Sequence, residues 1–243
     1  MTIDAFVITC EHGGNRIPAA FAGLFRGQRA RLDSHRGYDP GALVLARAMA
    51  RACGAPLVAS NVSRLLVDLN RSSGHPGLFS GATRGAPAAV RADILARHYL
   101  PYRQRVEGLV GSAVARGRRV VHISSHSFTP VLDGRRRRAD VGLLYDPGRS
   151  GEATLCACWK SALAQRAPSL RVRRNYPYAG KADGLTSHLR RRFPPAAYVG
   201  VELEVNQRIV AAGGRPWAAL RTTLIDSLRA ACAATHLTNS GES

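Results

Sequence analysis

The stretch Ala5-Phe6-Val7-Ile8-Thr9-Cys10-Glu11-His12-Gly13-Gly14-Asn15-Arg16-Ile17-Pro18 is an apolar run that stops at a polar, glycine-bearing loop. A short, nearly continuous apolar run suits a strand buried on both faces, and the two glycines and the proline keep strand and helix from continuing. The same design recurs outward along the chain. Residues 120–124 form a second such run, ending in Ser125-His126-Ser127, and 141–145 and 198–205 are two more. Residues 55–60 and 64–69 read as shorter strands joined at Asn61. Helical spacing fills 40–52, 90–115 (divided by Pro101), 152–165 and 217–234, and a glycine-, serine- and proline-rich loop covers 72–87. Strand-like runs alternating with helical patterns predict an α/β fold with an open, largely parallel sheet covered by helices.

At 243 residues and 45% hydrophobic, with no repeat, linker or low-complexity segment, the chain is expected to form one domain over 1–243, with 236–243 as a frayed tail. No apolar run approaches the roughly 18 residues of a membrane span, and Met1 to Asp4 carries no basic leader, so the expected location is the cytoplasm. Five cysteines without a C-x-x-C pair fit a reducing compartment, and Cys156 and Cys158 read as small buried hydrophobes. The formal charge is +19, nearly all of it arginine, since only Lys160 and Lys181 are lysines. That excess is spread along the chain. Its densest cluster, 135–138, follows the turn signal Asp133-Gly134 and is expected to be a solvated loop. No aromatic-interleaved basic motif or helix-turn-helix pattern accompanies the charge, so nucleic acid is not the expected partner.

In open α/β sheets ligands bind beyond the carboxyl ends of the strands. His12 follows the first strand, Asn70 and Arg71 follow 64–69, His126 follows 120–124, and Glu204 ends the last. A hydrolytic metal site takes about three protein ligands and leaves one position open, and imidazoles with a carboxylate suit zinc. His12 and His126 are the natural pair. Asp39, in His35-Arg36-Gly37-Tyr38-Asp39-Pro40-Gly41-Ala42, is the first choice for the third ligand, with Glu11, Asn15 and His35 as the other candidates; its alternative role is a helix N-cap. Gly13 and Gly14 are expected to let backbone approach a ligand. Glu204 lies on the otherwise apolar Val199-Gly200-Val201-Glu202-Leu203-Glu204-Val205, where a buried carboxylate needs a partner, and is expected to act as general base. Glu202 shares its face by the period of two. Arg64 and the Asn70-Arg71 pair suit a substrate carboxylate, with Asp68 positioning one of the arginines.

Taken together, Cys10 to Pro18, His35 to Ala42, Ser63 to Arg71, Ser125 to Val131 and Val201 to Val205 resemble the N-formylglutamate amidohydrolase family, closest to the branch labelled "predicted N-formylglutamate amidohydrolase". Asn175-Tyr176-Pro177-Tyr178 and Thr186-Ser187-His188 also look like family segments, and the similarity spans roughly Val7 to Ile209. The resemblance implies a three-layer α/β/α fold with a mixed, mostly parallel sheet, phosphorylase/hydrolase-like and distantly related to zinc carboxypeptidases and aspartoacylase. Those relatives use a H-x-x-E motif plus a later histidine. Here the corresponding stretch ends in Asn15, which implies either that the carboxylate ligand comes from elsewhere or that the site binds metal more weakly. The expected activity is hydrolysis of an N-formyl or N-acyl amino acid, a small molecule bearing a carboxylate. Zinc would be held by His12, Asp39 and His126, with Glu204 moving the proton and His188 or Arg64 at the oxyanion. Asn70 and Arg71 would hold the carboxylate, and Tyr178 and Lys181 would line the pocket. Two rival readings are a binding protein that keeps the fold and grips an anionic partner through its basic surface, and an amidohydrolase of a specialised biosynthetic route.

Overall fold

The computed structural model describes residues 4–239, with side chains of the last helix described to Thr235. In chain order the strands and helices are β1 (Ala5–Cys10), α1 (Arg29–Leu32), α2 (Ala42–Ala52), β2 (Leu57–Ala59), α3 (Ala88–Ile94), α4 (Leu100–Ala115), β3 (Val120–Phe128), β4 (Val131–Leu132) and β5 (Arg135–Arg136). They continue with β6 (Val141–Leu144), α5 (Ser150–Arg166), β7 (Val172–Arg174), α6 (Leu185–Arg192), β8 (Tyr198–Asn206), α7 (Gln207–Ala212) and α8 (Gly214–Asn239). Six strands form one sheet in the order β2-β1-β3-β8-β6-β7. β2, β1, β3 and β8 run parallel, β6 is antiparallel to β8, and β7 is parallel to β6. The sheet is therefore mixed and mostly parallel, with helices on both faces, as expected.

Two apolar cores explain the layering. On one face Leu45, Ala46 and Met49 of α2 pack with Leu155, Trp159 and Leu163 of α5 and Leu224 and Leu228 of α8. The helical spacing of Leu45 and Met49 is what a one-sided helix requires, and each such buried side chain contributes about 1.5–3 kcal/mol. On the other face Val106 and Val110 of α4 and Leu185 and Leu189 of α6 pack with Leu65, Leu66, Val67 and Leu69. The central strands β3 and β8 are covered on both sides, which is why they read as runs rather than as alternations.

Several expectations are corrected. Residues 64–69 are not a strand: their apolar side chains are buried in irregular backbone. Polar side chains hold that path. Ser63 Oγ donates to the Gly37 carbonyl at 2.8 Å and accepts from Leu65 N, and Asp68 Oδ1 accepts from Asn70 N at 3.0 Å. Pro101 does not break the helix. A single π turn at Leu95–Tyr99 widens the coil just before it, relieving the clash a proline ring makes with the carbonyl four residues back. β3 runs four residues past the expected end, so His126 lies within it. Arg135 and Arg136 belong to a small β4–β5 hairpin, whose turn uses Asp133 (φ 48°) and Gly134 (φ 74°). Part of the expected tail is helical, since α8 reaches Asn239; residues 240–243 lie outside the described residues.

Among the described residues no helix is long and apolar enough to cross a membrane. The five cysteines are free, with Cys156 buried in the first core and Cys158 packed against it.

Candidate active site

Three segments converge at the carboxyl ends of the parallel strands. His12 comes from the loop after β1, Asp39 from the loop before α2, and His126 from β3. Glu204 stands on β8 at the cross-strand position beside His126. The loops are tied together by the Asp39 amide, which donates to the His12 carbonyl at 2.9 Å. Asp39 does not cap α2; Gly41, with φ of 80°, takes that position. Its carboxylate instead turns inward, where Oδ2 lies 2.9 Å from His126 Nδ1 and 3.4 Å from His12 Nδ1. One ligand atom from each of His12, Asp39 and His126 lies within 4.8 Å of the others. All three residues are 4% exposed or less.

The far nitrogens of both rings face carboxylates. His12 Nε2 is 2.7 Å from Asp68 Oδ1, and His126 Nε2 is 3.1 Å from Glu11 Oε2 and 2.8 Å from Ser124 Oγ. Glu11 is fixed in turn by the hydroxyls of Ser124 (2.6 Å) and Tyr102 (3.0 Å). Arg64 donates to Asp68 Oδ2 at 2.8 Å and reaches Asp39 Oδ1 at 3.4 Å. This is how metal-ligating imidazoles are held: the outer N–H donates to a carboxylate, which leaves the inner nitrogen's lone pair facing the ion.

Charge reinforces the geometry. Burial opposes ionisation of Glu11, Asp39 and Asp68, yet the imidazoles, Ser124 and Arg64 overcome it and hold all three carboxyls well below the usual range. Three carboxylates against one guanidinium leave an excess of two negative charges in a buried site. Burial likewise opposes charge on the imidazoles, but Asp39 and Glu11 lift His126 well above its ordinary value. Asp68 and Asp39 lift His12 despite Arg64. Two protons on the rings or one divalent cation between them would balance the site. The donor set fits the cation: two imidazole nitrogens, one carboxylate and an open side facing Glu204.

Glu204 is 5% exposed, and its Oε2 is buried without a hydrogen-bond partner among the described residues. Burial pushes its carboxyl up to about 8, against the pull of His126 and with repulsion from Asp39 and Glu202 adding to it. An orphaned, buried carboxyl is costly unless something absent from the protein alone meets it. A cavity of about 200 Å³ opens onto it, lined by His12, Asp39, Arg64, Asn70, Arg71, His126, Tyr178, Asp183, Glu202 and Glu204 among others.

The other expected residues fall in and out of this cleft. Asn70 and Arg71 line it, Asn70 Oδ1 accepting from Leu185 N at 2.7 Å and Arg71 donating to the Asp183 carbonyl at 3.1 Å. Tyr178 stands at its wall. His188 is not among the lining residues, because α6 turns it toward α4, where its Nε2 pairs with Glu107 at 3.0 Å. Lys181 does not line the cavity either. Of the alternative ligands, Asn15 donates to Asp33 on the surface and His35 faces a neighbouring chamber, whereas Glu11 sits behind His126. Gly13 and Gly14 approach protein, not ligand: a Cβ on either would lie 2.8 Å from the Ser60 carbonyl or 2.6 Å from that of Asn61. Sequence reasoning missed Asp68 as the His12 partner, Glu11 as the His126 partner and Ser124. The period of two, which puts Ser124 beside His126 on one strand face, was the only available signal.

Comparison with known proteins bears directly on this arrangement. The family model for N-formylglutamate amidohydrolase matches residues 4–211, which includes every residue of the cluster. The chain belongs to the N-formylglutamate amidohydrolase family. A solved structure of gene product Atu2144 from Agrobacterium tumefaciens is 30% identical and superposes with a TM-score of 0.82, over 97% of this chain and 93% of that one. The N-formylglutamate amidohydrolase of Ralstonia eutropha JMP134 is 21% identical with a TM-score of 0.65, over 94% of each chain, and shares the fold. A metallo-carboxypeptidase from Burkholderia cenocepacia reaches a TM-score of only 0.37 at 12% identity, too distant to bear on the site. A comparison with curated proteins found no match. As a member of this amidohydrolase family, the chain is a hydrolase acting on amide bonds.

Proposed function

We propose that the chain hydrolyses the amide bond of an N-formyl or N-acyl amino acid, an N-formylglutamate-like substrate, with zinc held by His12, Asp39 and His126. The observation that carries this reading is the convergence of His12 Nδ1 and His126 Nδ1 on Asp39 Oδ2, beside a buried Glu204 oxygen that has no partner. Zinc bound there supplies Lewis acidity toward a carbonyl and acidifies water. The remaining work falls to the chain's own side chains. Glu204 is the proton carrier: Oε2 takes a proton from water entering the cleft and returns it to the leaving nitrogen. A carboxyl whose pKa sits near the working pH serves both steps. Arg64, pinned by Asp68 and Asp39, presents its positive charge to the oxygen on which negative charge develops. Asn70 Nδ2 and the N–H groups of Arg71 not used by Asp183 hold the substrate α-carboxylate. The His188 role at the oxyanion is dropped, because that ring is engaged by Glu107.

The test combines metal analysis with turnover of N-formylglutamate by the purified protein, with Glu204→Gln and His126→Ala beside it. The expected result is about one equivalent of divalent metal and chelator-sensitive turnover. Glu204→Gln should lose about 100-fold or more in kcat while keeping the metal, and His126→Ala should lose both. Turnover of N-formylglutamate at the parent rate by either variant would overturn the reading.

A further inference from the structure

Behind His126, the face of the sheet that packs against α4 is not wholly apolar. Thr9, Glu11, His122, Ser124 and Tyr198 are fully buried there, brought together from β1 and the residue after it, from β3 and from β8. A strand covered on both sides normally carries apolar side chains at such positions, and a buried polar group costs free energy until it finds a partner. Here the partners form one line. Tyr198 Oη lies 2.7 Å from His122 Nδ1, His122 Nε2 lies 2.9 Å from Thr9 Oγ1, and the Thr9 hydroxyl also donates to Glu11. Glu11 accepts further from Tyr102 and Ser124, and faces His126 Nε2 at 3.1 Å. Gly200, paired with His122 across the sheet, leaves room for the first of these bonds: a Cβ there would stand 2.6 Å from Tyr198 Oη.

Each proton in this line has one direction open to it. Among the described residues the buried Tyr198 phenol has no hydrogen-bond partner besides His122, so its proton goes to Nδ1. A neutral imidazole that accepts at Nδ1 carries its own proton on Nε2, and burial keeps His122 neutral by pushing its pKa down to about 4. That proton goes to Thr9 Oγ1, which leaves the Thr9 proton for Glu11, a carboxylate that only accepts. Resting on the reading of His12, Asp39 and His126 as a metal centre, we propose that Tyr198, His122 and Thr9 are positioning residues for His126. They act through Glu11, which, oriented from behind, holds the His126 proton on Nε2 and leaves Nδ1 free for the cation. Hydrogen bonds aligned in one sense polarise one another, so the distant phenol is felt at the ring.

Two measurements on the full chain test this. In the isotope-labelled protein, imidazole proton–nitrogen correlation spectra report which nitrogen of His122 carries its proton. Nε2 is expected, and a proton on Nδ1 would reverse the line and overturn the proposal. The same spectra follow exchange of the His126 Nε2 proton with water, its line identified by its loss in His126→Ala. Zinc affinity is measured beside it by competition with a chelating dye. Thr9→Val removes the hydroxyl and keeps the branched shape; it is expected to speed that exchange and to weaken zinc binding about 10-fold. Thr9→Ser keeps the hydroxyl, and both values should return to within about threefold of the parent. Packing alone predicts the opposite order, since serine loses the buried methyl group that valine keeps. A folded Thr9→Val with parent exchange and parent affinity would overturn the proposal, as would Thr9→Ser falling as far as Thr9→Val. If Thr9→Val does not fold, Tyr198→Phe, which removes only the terminal donor, should show the faster exchange, and an unchanged rate there overturns the line equally. If the parent protein takes up no zinc yet the His126 proton answers to Thr9→Val and not to Thr9→Ser, the positioning stands and the metal reading falls.

Discussion

At the scale of single residues, each imidazole has one nitrogen toward Asp39 at the cavity and the other against a second carboxylate. Asp68 is the least expected member. Its place beside Arg64 and Arg71 in the sequence suggests a positioning group for an arginine, and it does hold Arg64, but its other oxygen takes the proton side of His12. Asp68→Asn keeps the shape while weakening that acceptor, and metal affinity is expected to fall about 10- to 100-fold, measured by competition with a chelating dye. Protons compete for the same nitrogens. Both rings have pKa values raised above 6.5 in the metal-free protein, so a cation must displace bound protons from them across neutral pH. The sign follows: affinity rises with pH, by about two decades per unit while both rings are protonated, and levels off above the raised values. Titration between about pH 6 and about pH 9 checks this, and a flat profile would mean that the rings are not the ligands. His12, His126 and Glu204 were legible in the sequence because chemically capable residues at strand ends stand out against apolar runs. Their carboxylate partners were not, because no spacing records that Glu11 and Asp68 flank two rings brought together by folding.

Elements carry these residues by register. β3 and β8 pair so that Ser124 lies beside Glu202 and His126 beside Glu204, which puts imidazole and carboxyl on one face of the sheet's carboxyl edge. The strands were readable because both central members are buried on two faces. Residues 64–69 mislead for the same reason: four apolar residues out of six look like a strand, yet here the core is filled by irregular chain whose backbone groups find scattered partners, Leu65 N on Ser63 Oγ, Arg64 N on the Gly37 carbonyl and Asp68 N on the Leu78 carbonyl. The seating of this segment depends on Gly37, whose carbonyl accepts from Ser63 Oγ and Arg64 N. A Cβ there would stand 2.1 Å from the Leu32 carbonyl oxygen, so Gly37→Ala has to displace backbone. A destabilisation of about 1–3 kcal/mol in urea unfolding is expected, together with weaker metal binding, because Asp39 and Arg64 move with the loop. The π turn before Pro101 shows the opposite limit of local reading. The proline was visible, but the wide turn that lets the helix continue depends on the packing of Tyr99 and Tyr102.

For the whole molecule, the layer order followed from the alternation of buried runs with helical patterns, and the family from motifs spread over nearly the full chain. The antiparallel placement of β6 did not, since the direction of a four-residue strand is set by its connections and not by its composition. The charge of +19 sits largely on arginines scattered over the surface, where like charges repel. Salt should screen that repulsion and raise Tm by about a few degrees between roughly 10 mM and roughly 0.5 M, seen by calorimetry in a non-binding salt such as sodium chloride. A fall in Tm instead would mean that the surface is held together by ion pairs. The central claim is that His12 and His126 share one ion with Asp39, and X-ray absorption at the metal edge of the zinc-loaded protein tests it most directly. A first shell of two imidazole nitrogens with oxygen, reduced to one imidazole in His126→Ala, is the expected result; zinc coordinated without imidazole, or a shell unchanged by that substitution, would contradict it.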